Sequence, residues 1–251
     1  MTRVIKIGGR PQTDPLLPAM IAESWDAVSG AVIVHGGGDE ISALQKALGV
    51  SSQFVEGRRV TSAQDVDIVR MALSGTANKR LVSALVHEGV RAVGLSGEDA
   101  SLIAATPVDS ARMGHVGSPQ RINSSLLLHL IDGGYLPVVS PVSRNVGHEL
   151  GPALNVNADD AAAAIAIAIE ADELTIVSDV PGVLVNGEPV AKLTCEQAHT
   201  MLREGSATGG MQAKLIAAMA AVDGHVPRVR ITDLSGIKDQ SRGTQVVSGA
   251  T

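Results

Sequence analysis

The 251-residue sequence is poor in aromatic side chains, and Trp25, Phe54 and Tyr135 are the only three. This scarcity excludes the aromatic platforms on which many proteins stack single-stranded nucleic acid. Basic clusters are missing as well, and the formal net charge of −6 argues against a partner bound through a phosphate backbone. We therefore expect no nucleic acid among the partners.

Cysteine and long apolar runs are also scarce. The one cysteine, Cys195, excludes an internal disulfide and is typical of a reducing compartment. No apolar run is long enough to cross a membrane, and the N-terminal segment enters a strand pattern without a signal peptide. We therefore expect a cytoplasmic protein with no membrane partner.

Short apolar runs alternate with helical patterns along the whole chain. This alternation predicts buried parallel strands joined by helical crossovers, and hence an α/β protein, a three-layer α-β-α sandwich with a mainly parallel central sheet. The strand patterns cover 3–7, 31–35, 91–95, 136–140, 174–178 and 229–233, and the clearest helical patterns cover 63–89 and 157–171.

Two segments interrupt the alternation. Asn186-Gly187 predicts a two-residue hairpin turn, and the polar segment 105–125 indicates a ribbon or flap. No linker divides the chain, so a soft boundary near residue 171 separates two expected lobes of one continuous sheet, residues 1–171 and 172–251.

Glycine-rich turns follow the first two strands, as KIGG at 6–9 and HGGG at 35–38. Ligands of open α/β sheets bind beyond the carboxyl ends of the strands, and glycine lets backbone N–H groups approach an anion. The Walker loop, the dinucleotide fingerprint and the hydrolase nucleophile elbow are all missing. Taken alone, each turn fits a purely structural role as well as an anion site.

Two lysines lie among apolar residues. Lys6 lies within the first strand pattern, where burial is costly unless an anion meets the ammonium group; the alternative is a strand end from which the side chain reaches water. Lys214 follows a pair of glycines and enters a helix of small residues, where the alternative is a solvated helix face.

The string LNVNADD places Asn155, Asn157 and Asp159 at alternate positions. On an extended segment these three side chains share one face, although one of them could simply be the cap of the following helix. A metal pair formed by Asp159 and Asp160 is disfavoured because adjacent residues of a helix point apart, and we expect no metal ligand in the chain.

Two further candidates lie at loop positions. Arg58 and Arg59 provide either a fork for a substrate carboxylate or a solvated turn. Ser178 and Asp179 end a strand pattern before a Pro-Gly turn, at the ligand edge of the expected sheet.

In their order along the chain, these motifs resemble the amino acid kinase family. The matching strings span nearly the whole sequence: KIGG, HGGG, EGRRVT, SGTANK, GHVGSP, GYLPVVSP, LNVNADDAAAAIA, SDVPGVL and GGMQAK. The resemblance implies the amino acid kinase fold, which is carbamate kinase-like. It also implies the ATP-dependent phosphorylation of the γ-carboxylate of N-acetyl-L-glutamate, the second step of arginine biosynthesis.

The resemblance further implies a role for each matching residue. Charge on the transferred phosphoryl group is stabilised by two lysines and the acid that positions them: Lys6, Lys214 and Asp159. Backbone N–H groups around the phosphoryl group and the acyl substrate come from four glycines: Gly8, Gly9, Gly37 and Gly38. The α-carboxylate of the acceptor is bound by the family's arginine, with two asparagines nearby: Arg59, Asn155 and Asn157. The nucleotide side holds Ser178, Asp179 and Gly182, and Mg²⁺ arrives on the phosphates of ATP.

By the same resemblance, the first lobe binds the acyl amino acid and forms a homodimer, and the second lobe holds ATP. The chain begins at the first strand, without the N-terminal helix that interlaces arginine-inhibited hexameric relatives, so we expect a homodimer that is insensitive to arginine. Glu98 and Ala100 depart from the family pattern, in which a basic residue is common at the first of these positions and glycine is expected at the second.

Other functions remain open from the sequence. One is a related kinase for N-succinylglutamate, N-acetyl-aminoadipate or a carrier-linked acidic amino acid. Another is a non-catalytic sensor of amino acids or nucleotides, although a sensor would not need both lysines.

Overall fold

The computed structural model describes residues 1–25, 30–55, 58–148 and 151–249. Its strands are β1 (Arg3–Ile7), β2 (Ala31–His35), β3 (Phe54–Val55), β4 (Arg58–Arg59), β5 (Ala92–Gly97), β6 (Ile103–Pro107), β7 (Val116–Ile122), β8 (Leu136–Asn145), β9 (Leu154–Val156), β10 (Glu173–Val177), β11 (Leu184–Val185), β12 (Glu188–Pro189), β13 (Lys192–Thr194), β14 (Arg228–Thr232) and β15 (Thr244–Val247). Glu56 and Gly57, which begin the EGRRVT string, lie outside the described residues.

The α-helices are α1 (Leu17–Ser24), α2 (Gly38–Ala47), α3 (Ala63–Arg70), α4 (Asn78–His87), α5 (Ser110–Met113), α6 (Ser124–Asp132), α7 (Ala158–Ala168), α8 (Cys195–Arg203) and α9 (Gly209–Asp223). A π-helical segment, Met71–Ala77, joins α3 to α4, and short 3-10 turns cover Arg10–Thr13, Asp99–Ser101 and Leu234–Ile237. None of the helices in the described part of the chain combines the length and hydrophobicity needed to cross a bilayer.

Eleven strands of the described residues form one sheet, in the order β13-β15-β14-β10-β1-β2-β8-β6-β7-β9, with β5 paired to β8. The central pairs are parallel, and antiparallel pairs occur at β14–β15, β6–β7 and β8–β9. The prediction of a mainly parallel sheet is therefore confirmed. The sheet also runs unbroken across residue 171, because β1 pairs with β10.

Side chains of β1 alternate between two cores. Val4 packs in the cluster that includes α7 and α9, whereas Ile5 and Ile7 pack in the cluster that includes α1 and α4. Helices therefore cover both faces of the sheet, which confirms the three-layer sandwich. Lys6 has the parity of Val4 and so faces α7 and α9.

Small side chains line the contact between α7 and α9. The buried residues there are alanines for the most part, including Ala162, Ala166, Ala217 and Ala218. Alanine lets two helices approach closely, since their separation depends on the side chains at the contact. This close packing brings the beginnings of both helices to the end of β1.

All six predicted strands are confirmed, with bounds shifted by at most two residues except at β8, which continues to Asn145. The 105–125 segment contains the predicted ribbon, formed by β6 and β7. The β11–β12 hairpin turns at Asn186 and Gly187, whose φ angles of 53° and 85° are those that a two-residue turn requires. The helical pattern 63–89 is confirmed only in part, because the π-helical segment interrupts it.

Candidate active site

The two glycine turns lie side by side at the carboxyl edge of the sheet. In the strand registers, Ile7 is level with His35 on one side and with Val177 on the other. A cavity of about 320 Å³ opens at this edge. Nine of the predicted site residues line it: Lys6, Gly8, Gly9, Gly37, Gly38, Arg59, Asn155, Asn157 and Asp159.

Two lysines converge on one carboxylate beside this cavity. Lys6 Nζ lies 2.8 Å from Asp159 Oδ1, and Lys214 Nζ lies 3.9 Å from Asp159 Oδ2. The side chains of Lys6 and Asp159 are only 5% and 6% exposed. The three residues lie in β1, in the first turn of α7 and in the second turn of α9, so the fold brings together residues that are far apart in the sequence.

The cluster of Lys6, Lys214 and Asp159 carries more positive than negative charge. Burial lowers the pKa of Lys214, and the positive charge of Lys6 lowers it further, whereas Asp159 and Asp179 act in the opposite direction. Two ammonium groups around one carboxylate leave a net positive charge in a sparsely solvated place. Such a cluster can stabilise an incoming anion, because charge interactions are stronger where water is excluded.

Three glycines of the two turns, Gly8, Gly9 and Gly37, are favoured by space or by backbone geometry. A Cβ at Gly8 would collide with the Lys6 ammonium group, and a Cβ at Gly37 would collide with the side chain of Leu73. Gly9 and Gly37 have φ angles of 57° and 150°, in the region that favours glycine. The turns therefore present backbone rather than side chains to the cavity.

Helix α2 starts at Gly38, directly on the cavity wall. Its N-cap is Gly37, and no side chain caps its first N–H groups. The first N–H groups of a helix have no partner within the helix, and the helix dipole is positive at this end. The start of α2 is thus a second place where an anion can be bound.

The asparagine string folds differently from the prediction. Asn155 lies in β9, but Asn157 is the N-cap of α7, where its Oδ1 accepts the N–H of Asp159 at 2.7 Å. The expectation of one extended segment is therefore wrong for Asp159, which lies in the first helical turn, and the capping alternative is confirmed for Asn157. The three side chains still line one cavity, because α7 begins immediately after the strand ends.

Asp160 points away from Asp159, as expected. Its Oδ2 accepts a hydrogen bond from Arg58 Nη2 at 2.8 Å. Burial raises the pKa of Asp160, and Arg58 opposes that shift. Within the described ranges, no cluster of three or more His, Cys, Asp or Glu side chains could hold a metal ion.

Arg59 is nearly buried, and its guanidinium group is already hydrogen-bonded by the protein. Nη1 donates to Gln45 Oε1 at 2.5 Å and to Ser52 Oγ at 2.7 Å. Nη2 donates to Gly38 O at 3.0 Å and to Ser42 Oγ at 2.8 Å. All four acceptors are neutral, so a carboxylate would reach Arg59 through Nε or by replacing one of them.

The predicted nucleotide-side residues lie at the end of β10, one strand away from the first glycine turn. Ser178 Oγ donates to Asp179 Oδ1 at 3.2 Å, and a Cβ at Gly182 would collide with Thr244. None of these three residues lines the cavity. They share its sheet edge, however, and Asp179 lies near enough to raise the pKa of Lys214.

The two departures from the family pattern lie in the turn between β5 and β6. Glu98 accepts two hydrogen bonds from Arg70, at 2.9 and 3.0 Å, so its charge is paired with the end of α3. Ala100 has a φ of 48°, in the left-handed region, which explains why glycine is expected there.

Sequence reasoning missed several residues that shape the site. Gln45 and Ser42 hold Arg59 from α2, and their spacing of three residues on one helix face was the available signal. His35 and Asn78 are fully buried behind the second glycine turn. A histidine at the end of an apolar strand was the signal for that pair.

Comparisons with known proteins identify the family of the chain. The sequence profile of the amino acid kinase family matches residues 1–233. The chain is 43% identical over 233 residues to the acetylglutamate kinase of Geobacillus kaustophilus, covering 92% of this chain and 89% of the relative. The smu.665 protein of Streptococcus mutans UA159 is 30% identical with a TM-score of 0.88, covering 99% of both chains. Carbamate kinase from Giardia lamblia bound to AMP-PNP, 19% identical, shares the fold with a TM-score of 0.77, covering 99% of this chain and 98% of that one. The chain belongs to the amino acid kinase family.

Proposed function

We propose that the chain is an acetylglutamate kinase. It transfers the γ-phosphoryl group of ATP to the γ-carboxylate of N-acetyl-L-glutamate and forms N-acetyl-L-glutamyl 5-phosphate, the second step of arginine biosynthesis. The observation that carries the proposal is the convergence of Lys6 and Lys214 on Asp159 beside two glycine turns. The 43% identity to an acetylglutamate kinase supports the choice of acceptor.

The reaction needs positioning and charge stabilisation more than proton transfer. A γ-carboxylate is ionised at neutral pH and attacks the γ-phosphorus directly, forming a carboxyl O–P bond. The bond from that phosphorus to the β–γ bridging oxygen breaks, and ADP leaves with the electron pair. Because both reactants are anions, catalysis consists of bringing them into line and spreading the charge of the transferred group.

The residues of the cluster divide this work. Lys6 and Lys214 stabilise charge on the phosphoryl group in transfer, and Asp159 holds both ammonium groups in place. Gly8, Gly9, Gly37 and Gly38 supply backbone N–H groups around the phosphoryl group and the acyl substrate. The net positive charge of the cluster and the uncapped start of α2 support these roles.

The acceptor occupies the cavity. Arg59 and Asn155 bind its α-carboxylate, and Asn157 assists. The carboxylate displaces one of the neutral acceptors of the Arg59 guanidinium, since a charge-assisted hydrogen bond is about twice as strong as a neutral one. A cavity of about 320 Å³ is large enough for a small acetylated amino acid.

ATP lies across the sheet edge, against Ser178, Asp179 and Gly182. Mg²⁺ bound to the phosphates of ATP would neutralise part of their charge. In this proposal residues 1–171 bind the acceptor and form a homodimer, and residues 172–251 hold the nucleotide. The proposed location is the cytoplasm, where ATP and the amino-acid precursors are available.

A panel of acceptors tests the function. The protein is incubated with ATP, Mg²⁺, hydroxylamine and one acid at a time: N-acetyl-L-glutamate, N-succinyl-L-glutamate or N-acetyl-L-aminoadipate. Hydroxylamine traps an acyl phosphate as a coloured hydroxamate. We expect N-acetyl-L-glutamate to give the highest kcat/KM. A preference for another acid would reassign the acceptor, and no hydroxamate with any acid would support a sensor.

A further inference from the structure

His35 is a buried side chain that the proposed chemistry does not use. It ends β2 directly before the second glycine turn and is 0% exposed. By strand parity it lies on the face of Ile33, toward α4, and so on the opposite side of the sheet from Lys6. It therefore cannot belong to the charge cluster, although it adjoins the turn that lines the cavity.

The hydrogen bonds of His35 assign its tautomer. Nδ1 lies 2.8 Å from Gly36 O, which can only accept, so Nδ1 carries the proton. Nε2 then accepts from Asn78 Nδ2 at 3.0 Å. Burial lowers the pKa of His35 to about 4, so the ring is neutral at pH 7 and both nitrogens are satisfied.

The network reaches from His35 to both glycine turns. Asn78 is fixed in turn because its Nδ2 also donates to Val138 O at 2.9 Å. On the other side, Gln12 Nε2 lies 3.4 Å from Nδ1, in the segment that follows the first glycine turn. Because Nδ1 carries a proton, exchanging the amide N and O of Gln12 would let Nδ1–H donate to Oε1, which has no partner in the orientation shown. Gly36 N–H also donates to Ile7 O at 2.9 Å, which joins the two turns directly.

We propose that His35 is a positioning residue that, through its Nδ1–H, fixes the Gly36 carbonyl and thereby the spacing of the two glycine turns. Each peptide plane is rigid, so holding Gly36 O fixes the direction of the Gly37 N–H across the same peptide bond. Glycine has the least restricted backbone torsions, so a turn of three glycines needs a restraint from a neighbouring side chain to hold its peptide planes. The catalytic part of this inference rests on the proposed function.

Two substitutions separate the two ring nitrogens. In His35→Asn, the side-chain amide nitrogen takes the place of Nδ1 and can still donate to Gly36 O. In His35→Gln, the amide oxygen takes the place of Nε2 and can accept from Asn78, but the donor to Gly36 is lost. Thr175→Val is the matched control: it removes the buried Thr175 hydrogen bond to Glu173, 2.8 Å long, within β10.

The first readout is the split between kcat and KM in the hydroxamate assay. We expect His35→Gln to lower kcat at least about tenfold with both KM values within about threefold, because misplaced donors weaken the transition state most. His35→Asn and Thr175→Val should retain kcat within about threefold. A kcat of His35→Gln within threefold of the wild type would overturn the proposal. Equal losses of kcat in the two His35 variants, in proportion to their losses of melting temperature, would overturn it as well.

The second readout does not depend on activity. Hydrogen exchange followed by mass spectrometry, at a temperature well below all melting transitions, reports on the peptide covering residues 31–41. We expect faster exchange of this peptide, which contains the Gly36 N–H bonded to Ile7 O, in His35→Gln than in His35→Asn and the wild type. Unchanged exchange would refute the positioning role. If the wild type forms no hydroxamate, the proposed function fails while this readout still decides the role of His35.

Asn78→Ala tests the same network if His35→Gln does not fold. Asn78→Ala removes the donor to Nε2 and leaves the imidazole free to turn. The same loss of kcat and the same faster exchange of the peptide covering residues 31–41 are expected, and wild-type values for both would contradict the network.

Discussion

The buried pair of Lys6 and Asp159 should have a large coupling energy. The two groups are 2.8 Å apart, and each side chain is about 95% shielded from water, as their 5% and 6% exposures indicate. Removing one partner of a buried pair typically costs about 3–5 kcal/mol, because the other charge remains buried and unpaired. Replacing both partners by neutral side chains of similar size is far less costly.

The cost of leaving Lys6 unpaired, which is the larger part of the cost of Asp159→Asn, has a ceiling that follows from acid–base chemistry. An unpaired buried ammonium group can release its proton, and for a lysine of ordinary pKa about 10.4 this costs about 4.6 kcal/mol at pH 7, at 1.36 kcal/mol per pH unit. We therefore expect Asp159→Asn to lower the free energy of unfolding by about 3–4.5 kcal/mol. Lys6→Met should cost less, about 2–3 kcal/mol, since Lys214 remains 3.9 Å from the carboxylate.

The assay is a double-mutant cycle. Urea unfolding is followed by far-UV circular dichroism at one protomer concentration, for the wild type, both single variants and the Lys6→Met/Asp159→Asn double variant. We expect the double variant to lose no more than about 2 kcal/mol, which gives a coupling energy of about 3 kcal/mol or more. Effects of the two substitutions that add within about 0.5 kcal/mol would refute the buried pair.

Four further predictions concern turnover, pH, the acceptor and the backbone. Lys214→Ala should lower kcat about 10²–10³-fold with acceptor and ATP KM within about threefold, and a loss confined to KM would refute its role in stabilising the transferred group. His35 has a pKa of about 4 in the folded protein and 6.5 in the unfolded chain, so the stability that the neutral ring contributes is present above pH 6.5 and is lost as the pH falls toward 4. Urea unfolding should show the wild type losing about 3 kcal/mol more than His35→Asn over this range, and equal pH profiles of the two proteins would contradict this. In the hydroxamate assay, Arg59→Ala should raise the acceptor KM about 100-fold and Arg58→Ala less than about tenfold, because Arg59 lies deep in the cavity wall and Arg58 is paired with Asp160. A larger effect of Arg58→Ala would transfer the carboxylate contact to Arg58. Ala100→Gly should raise the free energy of unfolding by about 0.5–1 kcal/mol by relieving a left-handed conformation, and a loss of stability would show that this conformation carries no strain.

The part of the fold that the sequence predicted depends on local patterns. The apolar strand at 3–7 and the Asn186-Gly187 turn are specified by neighbouring residues, and both form as expected. The π-helical segment at Met71–Ala77 was not predictable, because apolar periodicity does not distinguish it from an α-helix. The extent of β8 depends on pairing with β6 and β9, which are distant in sequence.

The site was predictable where a residue violates its local pattern. Lys6 in an apolar strand indicated an anionic partner, and the structure supplies Asp159. The exact geometry of Asn157 and Asp159 was not predictable, since alternate spacing fits an extended segment until the start of α7 is known. The partners of Arg59 come from α2 and a loop, and only the tertiary structure brings them together.

The most direct test of the account asks whether the acceptor carboxylate is the nucleophile. N-acetyl-L-glutamate labelled with ¹⁸O in its γ-carboxylate is incubated with the protein, ATP, Mg²⁺ and hydroxylamine, and the released phosphate is analysed by ³¹P NMR. Hydroxylamine attacks the acyl carbon, so phosphate formed by this route leaves with one ¹⁸O from the carboxylate. We predict phosphate that carries one ¹⁸O in proportion to the hydroxamate formed, whereas phosphate without label would contradict phosphoryl transfer to the γ-carboxylate.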